Sequence, residues 1–544
     1  MQVAGASANY LSAARLERPN RASGSVTAQM DLPLNGPSDP YSGVVEGTNE
    51  RQNPFIVVPR DLAARARTPA QVVEHLGRMD VLVSSEIPLI NGYTAVMNEE
   101  ERRKVEQAGY QVIPDLSDKF LLPNPWERKP DESAVDASEP APPVTPRAPL
   151  SEPRFHTPLT QQFTGRGIGI AVVDTGIYPH PDFTFPHNRI VAFQDFVNQN
   201  TLPYDDNGHG THTAGDAAGN GFMAEGLYRG PAPEANLIGV KVLDKNGNGL
   251  TSNILRGINW VVENKERYNI KVINLSLGSS QRWAFRKGDP IQQAVEKAVD
   301  AGITVVVSAG NEGPYPGSIS APGDNPRVIT VGAVDDRNTA WTSDDRIPHF
   351  SSRGKAGSGK PDLVAPGEAI IGPNAPGTVT DAMARKYTAV NETLQWLKNM
   401  RDEELVHVPE DTLRLIGLNS SSIRRFKNSP YTARAEITRL IETAERVPMI
   451  KSNYLGMPGT SMAAPIVAGV VAQLLEANPH LTPDEIKDIL RQSATPIPGY
   501  GPEAQGAGTV NPNRALELAL KKLRDGDQFG QLVLPVFETD SARK

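Results

Sequence analysis

From Gly165 onward, short apolar runs alternate with longer stretches of helical spacing. The runs Ile168–Val173, Leu237–Leu243, Val272–Leu277, Ile303–Ser308 and Val328–Val334 read as strands. Helical patterns over 209–219, 251–268 and 289–301 separate them. Strands that are apolar throughout, alternating with helices, predict an α/β fold: a doubly wound parallel sheet covered on both faces. Such sheets bind ligands at the carboxyl ends of their strands, which is where chemistry is to be sought. The most apolar stretch is Leu455–Leu475. Met462, Ile466, Val467, Val470, Val471, Leu474 and Leu475 make it apolar nearly all round, as expected of a buried core helix. Pro465 is expected in its first turn, where a missing N–H does no harm.

Before this region, residues 53–122 read as a small α+β module. Phe55–Val58, Ile90–Met97 and Tyr110–Pro114 are strand candidates, a helix opens at Thr68-Pro69, and another covers Asn98–Ala108. Residues 1–52 are rich in Gly, Pro, Ser and Asn without periodicity and read as disordered. The proline-rich stretch 123–154 reads as an extended linker. Residues 376–451 interrupt the α/β pattern. Val379, Met383, Tyr387, Val390, Leu394 and Leu397 fall at helical spacing and a second helix is expected over Ala433–Ala444, so this is read as a helical insertion into a domain spanning 155–522. Its Arg424-Arg-Phe-Lys427 cluster reads as a solvated face. Thr482-Pro-Asp-Glu485 is a capping box opening a further helix, and 523–544 forms a tail.

Composition narrows the partners. The 544-residue chain carries a net charge of −8, which argues against nucleic acid or an anionic membrane. It has no cysteine, so thiol catalysis, disulfides and Cys-based zinc sites are excluded. The first ten residues lack a basic start followed by an apolar run. No stretch approaches the roughly 18–20 apolar residues of a membrane span. A cytoplasmic location is the expectation, with secretion the alternative should the start be misassigned.

Four short stretches bear chemistry. Strand 168–173 ends in Asp174-Thr-Gly, which is either a turn or a carboxylate at the sheet's carboxyl edge. His209, in Gly208-His-Gly-Thr-His212, is either a satisfied histidine in a capped helix or an exchangeable base; with His212 it lacks an obvious third ligand for zinc. Asn311, after Ser308-Ala-Gly, is a turn residue or an amide donor aimed into the crevice. Ser461 sits at the mouth of the apolar helix, where unpaired donors and the helix dipole favour an oxyanion, although a capped core helix has the same look. Together the four supply what acyl transfer requires: Ser461 as nucleophile, His209 as base, Asp174 to orient it, and Asn311 with the Ser461 N–H for the oxyanion.

The stretches Ala171-Val-Val-Asp174-Thr-Gly-Ile, Gly208-His209-Gly-Thr-His-Thr-Ala-Gly215, Ser308-Ala-Gly-Asn311-Glu-Gly and Gly459-Thr-Ser461-Met-Ala-Ala-Pro465 resemble the subtilases, the subtilisin-like serine peptidases. The order Asp, His, Ser is that of the subtilisin arrangement. Gly215–Gly221 and Tyr228–Leu243 resemble the AprX-type intracellular branch most closely. The resemblance implies a serine endopeptidase acting on protein or peptide substrates through an acyl-enzyme. It further implies that Leu275, Ser276, Leu277 and Gly278 form one substrate-pairing edge, with Gly247, Asn248 and Gly249 opposite, and Ala309 and Gly310 walling the P1 pocket. No charge is evident near Ser320-Ala321, so apolar or medium-sized P1 side chains are expected. No cofactor is needed for the chemistry. A structural calcium ion is allowed by the family, but only Asp182 fits a ligand position; the loop 220–230 does not match the calcium loop of secreted members. Residues 53–122 resemble the family's propeptide. This implies a self-processing precursor whose own N-terminal module is an intramolecular inhibitor, cut somewhere after Lys119; a permanently attached domain is the alternative. The insertion stands where a rim or lid over the cleft would sit. A regulatory peptide-binding protein and a non-peptidase esterase are the competing functions.

Overall fold

The computed structural model describes residues 53–120 (other than 61 and 116), 157–279, 289–337, 339, 343–444 and 453–526. The expected disordered segment 1–52, the linker 123–154, the end of the insertion at 445–451 and most of the tail lie outside the described residues.

The N-terminal module runs β1 (Asn53–Pro59), α1 (Pro69–Gly77), β2 (Leu82–Ile87), β3 (Gly92–Met97), α2 (Glu99–Gln107) and β4 (Tyr110–Pro114), followed by the short β5 (Ser117–Lys119). Its sheet has the order β2-β3-β1-β4, antiparallel throughout. Thr68 and Asn98 cap α1 and α2, each with a reciprocating Gln or Glu three residues on. β2 is absent from the sequence reading because Leu-Val-Ser-Ser-Glu-Ile has no apolar run. It is an edge strand whose residues are mostly at least partly exposed. Strand alternation divides β1 between two cores. Phe55 and Val57 pack with α1 and α2 inside the module, whereas Ile56 and Val58 face outward into the core of the larger domain.

That domain is built on β6 (Gly169–Asp174), β7 (Ile190–Asp195), α3 (His209–Ala218), β8 (Asn236–Lys241), β9 (Asn248–Leu250) and α4 (Thr251–Asn264). β10 (Ile270–Leu275), α5 (Pro290–Asp300), β11 (Thr304–Ser308), β12 (Ile329–Val334) and β13 (Leu363–Pro366) follow. Seven parallel strands lie in the order β13-β12-β11-β10-β6-β8-β7, with β6 and β10 adjacent at the point where the winding reverses. Every residue of β6 is buried, because Ile170 and Val172 point to one helical layer and Ala171 and Val173 to the other. The expected doubly wound α/β architecture is present. β7 and β13 escape the sequence reading: β7 mixes polar with apolar positions and β13 is four residues ending in Pro366.

A two-stranded antiparallel sheet of β14 (Ile370–Pro373) and β15 (Tyr454–Met457) brackets the helical insertion. The insertion contains α6 (Val379–Lys398), α7 (Asp402–Leu405), α8 (Glu410–Leu415), α9 (Ser420–Asn428) and α10 (Pro430–Ala444) around a core of its own that includes Leu397, Leu413, Phe426 and Ile437. Two helices are expected there; among the described residues five form, because Pro409, Gly417 and Pro430 divide the middle.

α11 (Thr460–Ala477) passes under the sheet, followed by α12 (Pro483–Ser493), with its expected capping box, and α13 (Pro512–Gly526). Contrary to the expectation for the whole chain, α11 is long and apolar enough by composition to cross a membrane, but 94% of it is buried in this core. Pro465 is also not in the first turn. It is the sixth helical residue, which matters below.

Candidate active site

The predicted residues lie on elements that meet at the carboxyl edge of the sheet, around the switch between β6 and β10. Asp174 is the last residue of β6 and is wholly buried. It accepts from the Thr175 N–H at 2.7 Å. His209, the first residue of α3, places Nδ1 2.9 and 3.0 Å from the two Asp174 oxygens. Both partners are carboxylate oxygens, so Nδ1 carries the proton and Nε2 is left as the basic nitrogen. Burial pushes the His209 pKa down, but Asp174, by charge and hydrogen bond, with Asp205 and Asp216 behind it, outweighs burial and holds it above the ordinary value.

The loop before α3 is ordered by Asp205, which the sequence reading did not single out. One Asp205 oxygen accepts from the Asn207 and Gly208 N–H groups and the Thr175 hydroxyl; the other accepts from the N–H and hydroxyl of Thr211. The Thr175 hydroxyl in turn accepts from the Gly210 N–H at 2.9 Å, tying the end of β6 to the start of α3. Lys241 is fully buried and donates to Thr175 O, Leu243 O and Asp206 Oδ1, at 2.6, 2.7 and 2.7 Å. The legible signal for it was a lysine inside an otherwise apolar strand.

Ser461 is the second residue of α11, behind Gly459, whose φ of 147° is a conformation other residues adopt only with strain. A helix places residue 465 to donate to the carbonyl of residue 461, and Pro465 has no N–H. Ser276 Oγ supplies that bond to Ser461 O at 2.8 Å, while Ser461 Oγ lies 3.4 Å from Ser276 O. Asn311 is fixed by its oxygen: Oδ1 accepts from the Thr460 N–H at 3.0 Å and the Thr460 hydroxyl at 2.9 Å. This sets its amide nitrogen at the Gly459–Ser461 turn, where a Cβ on Gly459 would lie 3.4 Å from it. The Gly310 N–H donates to Thr460 Oγ1 at 3.1 Å, bringing Gly310 to the same turn. Ala309 is held by its N–H to Val331 O and its carbonyl to the Ser320 N–H.

Of the two expected substrate edges, Gly247–Gly249 and Ser276–Gly278 lie on opposite sides of one segment of the chain itself. β5 pairs antiparallel with β9, Asp118 opposite Gly249. The Phe120 N–H donates to Gly247 O at 3.1 Å, and Phe120 O accepts from the Gly278 N–H at 2.9 Å. Phe120 is buried within the core that includes Leu243 and Leu277. Leu275 departs from its expected place. Its backbone belongs to the parallel pairing of β10 with β11 opposite Val307, so the open edge begins at Ser276.

Asp182 does not offer its carboxylate to an ion. Both oxygens accept from the Tyr454 hydroxyl, at 2.8 and 2.9 Å, and Oδ1 also accepts from the Met223 N–H. Among the described residues no group of three or more His, Asp or Glu side chains is placed to hold a metal. This donor set does not fit calcium, which takes six to eight oxygens. Nor do His209 and His212 converge on a metal: His212 bonds Asp216 through Nδ1 at 2.9 Å and Leu455 O through Nε2 at 3.0 Å.

A parallel α/β sheet here carries an acid and a histidine in contact at its switch point, with a serine at the head of the core helix α11. The chain belongs to the subtilase family, the subtilisin-like serine peptidases, whose model matches residues 165–399 and 429–517. It is 41% identical over 357 residues to serine protease AprX of Bacillus subtilis (strain 168), covering 64% of this chain and 66% of that protein. It is 36% identical over 226 residues to a subtilisin of Bacillus sp. (strain TA39), covering 39% of this chain and 51% of that one. The chain thus spans about two thirds of the first relative's length and about half of the second's. Among solved structures, fervidolysin from Fervidobacterium pennivorans, a keratinolytic enzyme related to subtilisin, shares the fold. Its TM-score is 0.55 at 22% identity, over 86% of this chain and 61% of that one.

Proposed function

We propose that this subtilase is a serine endopeptidase that hydrolyses peptide bonds through an acyl-enzyme on Ser461. The observation that carries the reading is the paired contact of His209 Nδ1 with Asp174, which leaves Nε2 as the basic nitrogen. Ser461 Oγ attacks the scissile carbonyl carbon as His209 Nε2 takes its proton, and Asp174 stabilises the resulting imidazolium. The oxyanion is held by the Asn311 amide and the Ser461 N–H at the start of α11, where the helix dipole adds to both. Collapse breaks the C–N bond, and His209 returns the proton to the leaving amine. Water, activated by the same imidazole, then releases the acyl group. Peptides pair through main-chain bonds with Gly247–Gly249 and Ser276–Gly278, which tolerates many sequences, with apolar or medium-sized P1 side chains preferred.

The chain is, on the same reading, a self-processing precursor. The placement of 117–120 between the two edges, where a substrate would lie, supports the N-terminal module as an intramolecular inhibitor, cut somewhere after Lys119.

The test is hydrolysis of casein and a chromogenic peptide by the wild type and Ser461→Ala, with a gel of each preparation and fluorophosphonate labelling. The expected result is an active, labelled wild type shortened by roughly the first 120–160 residues, and an inactive, unlabelled, full-length variant. Two full-length, inactive and unlabelled chains would favour the regulatory peptide-binding reading, and activity in both would mean another nucleophile.

A further inference from the structure

The helical insertion is bonded at its root to the loop that carries His209. α6 opens with Thr378 as N-cap, its side chain accepting from the Asp381 N–H. The N–H groups of a helix's first turn have no partner within the helix. Thr380, the second helical residue, turns its N–H out to Asn207 O at 2.9 Å and adds its hydroxyl to the same carbonyl, also at 2.9 Å. Asn207 passes the constraint on. Its Oδ1 accepts from the His209 N–H at 3.1 Å and its Nδ2 donates to Lys245 O at 2.8 Å.

There is no slack in this contact. Gly208, between Asn207 and His209, has a φ of 100°, and a Cβ there would collide with the Thr380 hydroxyl and press on that of Thr378. Thr378 and Thr380 are both buried, and the Thr378 hydroxyl donates to Ala375 O at 2.7 Å. The root itself is braced by Asp381, which accepts from Asn374 Nδ2 at 2.7 Å and from the Gly377 N–H and Arg385 Nε at 2.9 Å each. Beyond the insertion, β15 returns in register with β14 and leads within four residues to Ser461.

We propose that Thr380 is a positioning residue for His209, so that the insertion sets the geometry of the Asp174–His209 pair. The proposal rests on the peptidase reading above. An imidazole held by one carboxylate can still swing about that bond, and proton transfer is sensitive to misplacement on the order of 1 Å. The chain from α6 through Asn207 to the His209 N–H removes that freedom.

The test uses the full chain as it self-processes, with kcat and KM on a chromogenic peptide, the pH profile, and thermal unfolding. Thr380→Val keeps the volume and removes the hydroxyl. It is expected to lower kcat roughly 3- to 30-fold with KM within about twofold, and Thr380→Ser to restore most of the loss. The acid limb of kcat/KM should move to lower pH in Thr380→Val, because a less firmly held His209 loses part of its contact with Asp174, and return in Thr380→Ser. Wild-type kcat in Thr380→Val would overturn the proposal. So would a loss that leaves the pH profile in place, or one that Ser does not relieve, since each indicates general loosening. A wild type that neither turns over nor labels with fluorophosphonate would overturn the peptidase reading, and the proposal with it.

Discussion

Ser276 and Ser461 each bond the other's carbonyl: Ser276 Oγ donates to Ser461 O at 2.8 Å, and Ser461 Oγ lies 3.4 Å from Ser276 O. The first bond exists because Pro465 cannot supply the helix's own donor to that carbonyl. Both residues are buried, so the carbonyl has no ready substitute in water. Ser276→Ala should cost about 1–3 kcal/mol of stability, the penalty for an unsatisfied buried acceptor. It should also lower kcat, because the residue it releases is Ser461. Denaturant unfolding in a Ser461→Ala background, alongside turnover of the single variant, checks both. Unchanged stability would mean that the carbonyl finds another donor.

The environment of His209 predicts an alkaline-leaning enzyme. Asp174, Asp205 and Asp216 outweigh burial and raise its pKa, and only the neutral imidazole accepts the Ser461 proton. The acid limb of kcat/KM should therefore fall above the ordinary histidine value, with activity lost as pH drops through it. For stability the sign is opposite. The raised pKa contributes stability fully present below the unfolded histidine value and lost as pH rises through the folded one. Asp174→Asn removes the principal opposing charge and leaves burial, so the limb should move to lower pH. The rate should also fall by roughly 10⁴-fold as the tautomer is lost. A limb that stays in place in Asp174→Asn would show that another group titrates.

Asn311 is held by its oxygen so that its nitrogen faces the turn before Ser461. A donor that matters only when charge develops on the carbonyl should act on kcat alone. Asn311→Ala is expected to lower kcat roughly 10²- to 10³-fold with little change in KM. Because Thr460 loses its acceptor as well, Asn311→Asp is the companion variant. It keeps the oxygen for Thr460 but offers no amide, and it should be at least as slow. Recovery of kcat in Asn311→Asp would assign the loss to Thr460.

The stretches that carry Asp174 and Asn311 were legible as small residues closing apolar strands, that of Ser461 as a Gly-rich turn opening an apolar helix, and that of His209 as a histidine among glycines at a helix start. The parallel sheet was legible because both its faces are buried, so its central strands are apolar throughout. What stayed hidden depends on tertiary partners. β14 and β15 look like loops, Ile-Ile-Gly-Pro and Tyr-Leu-Gly-Met, until each supplies the other's hydrogen bonds. Asp182 falls where the family resemblance implies a calcium ligand, yet Tyr454, 272 residues away in sequence, takes its carboxylate. Pro465 was read as harmless at a helix start. The true start at Thr460 makes it the reason Ser276 is needed.

Asp115 caps a helix that lies outside its own module, its Oδ1 accepting from the Ser252 N–H at 3.0 Å in the first turn of α4. α4 has no side-chain cap of its own, since its N-cap residue is Leu250. Burial pushes the Asp115 pKa up, and the Ser252 bonds and Arg256 only partly offset it, so docking makes the carboxyl hold its proton to higher pH. Docking should therefore gain below the ordinary carboxylate value and weaken as pH rises through the raised one. What the cap needs is an acceptor oxygen rather than a charge. In a Ser461→Ala background that stays full length, Asp115→Ala should destabilise the docked module by about 1 kcal/mol. Asp115→Asn, which keeps the acceptor and avoids burying a charge, should match or exceed the wild type at neutral pH. Thermal unfolding of the two variants decides it: equal losses in Asn and Ala would mean that the charge, through Arg256 or the helix dipole, holds the module in place.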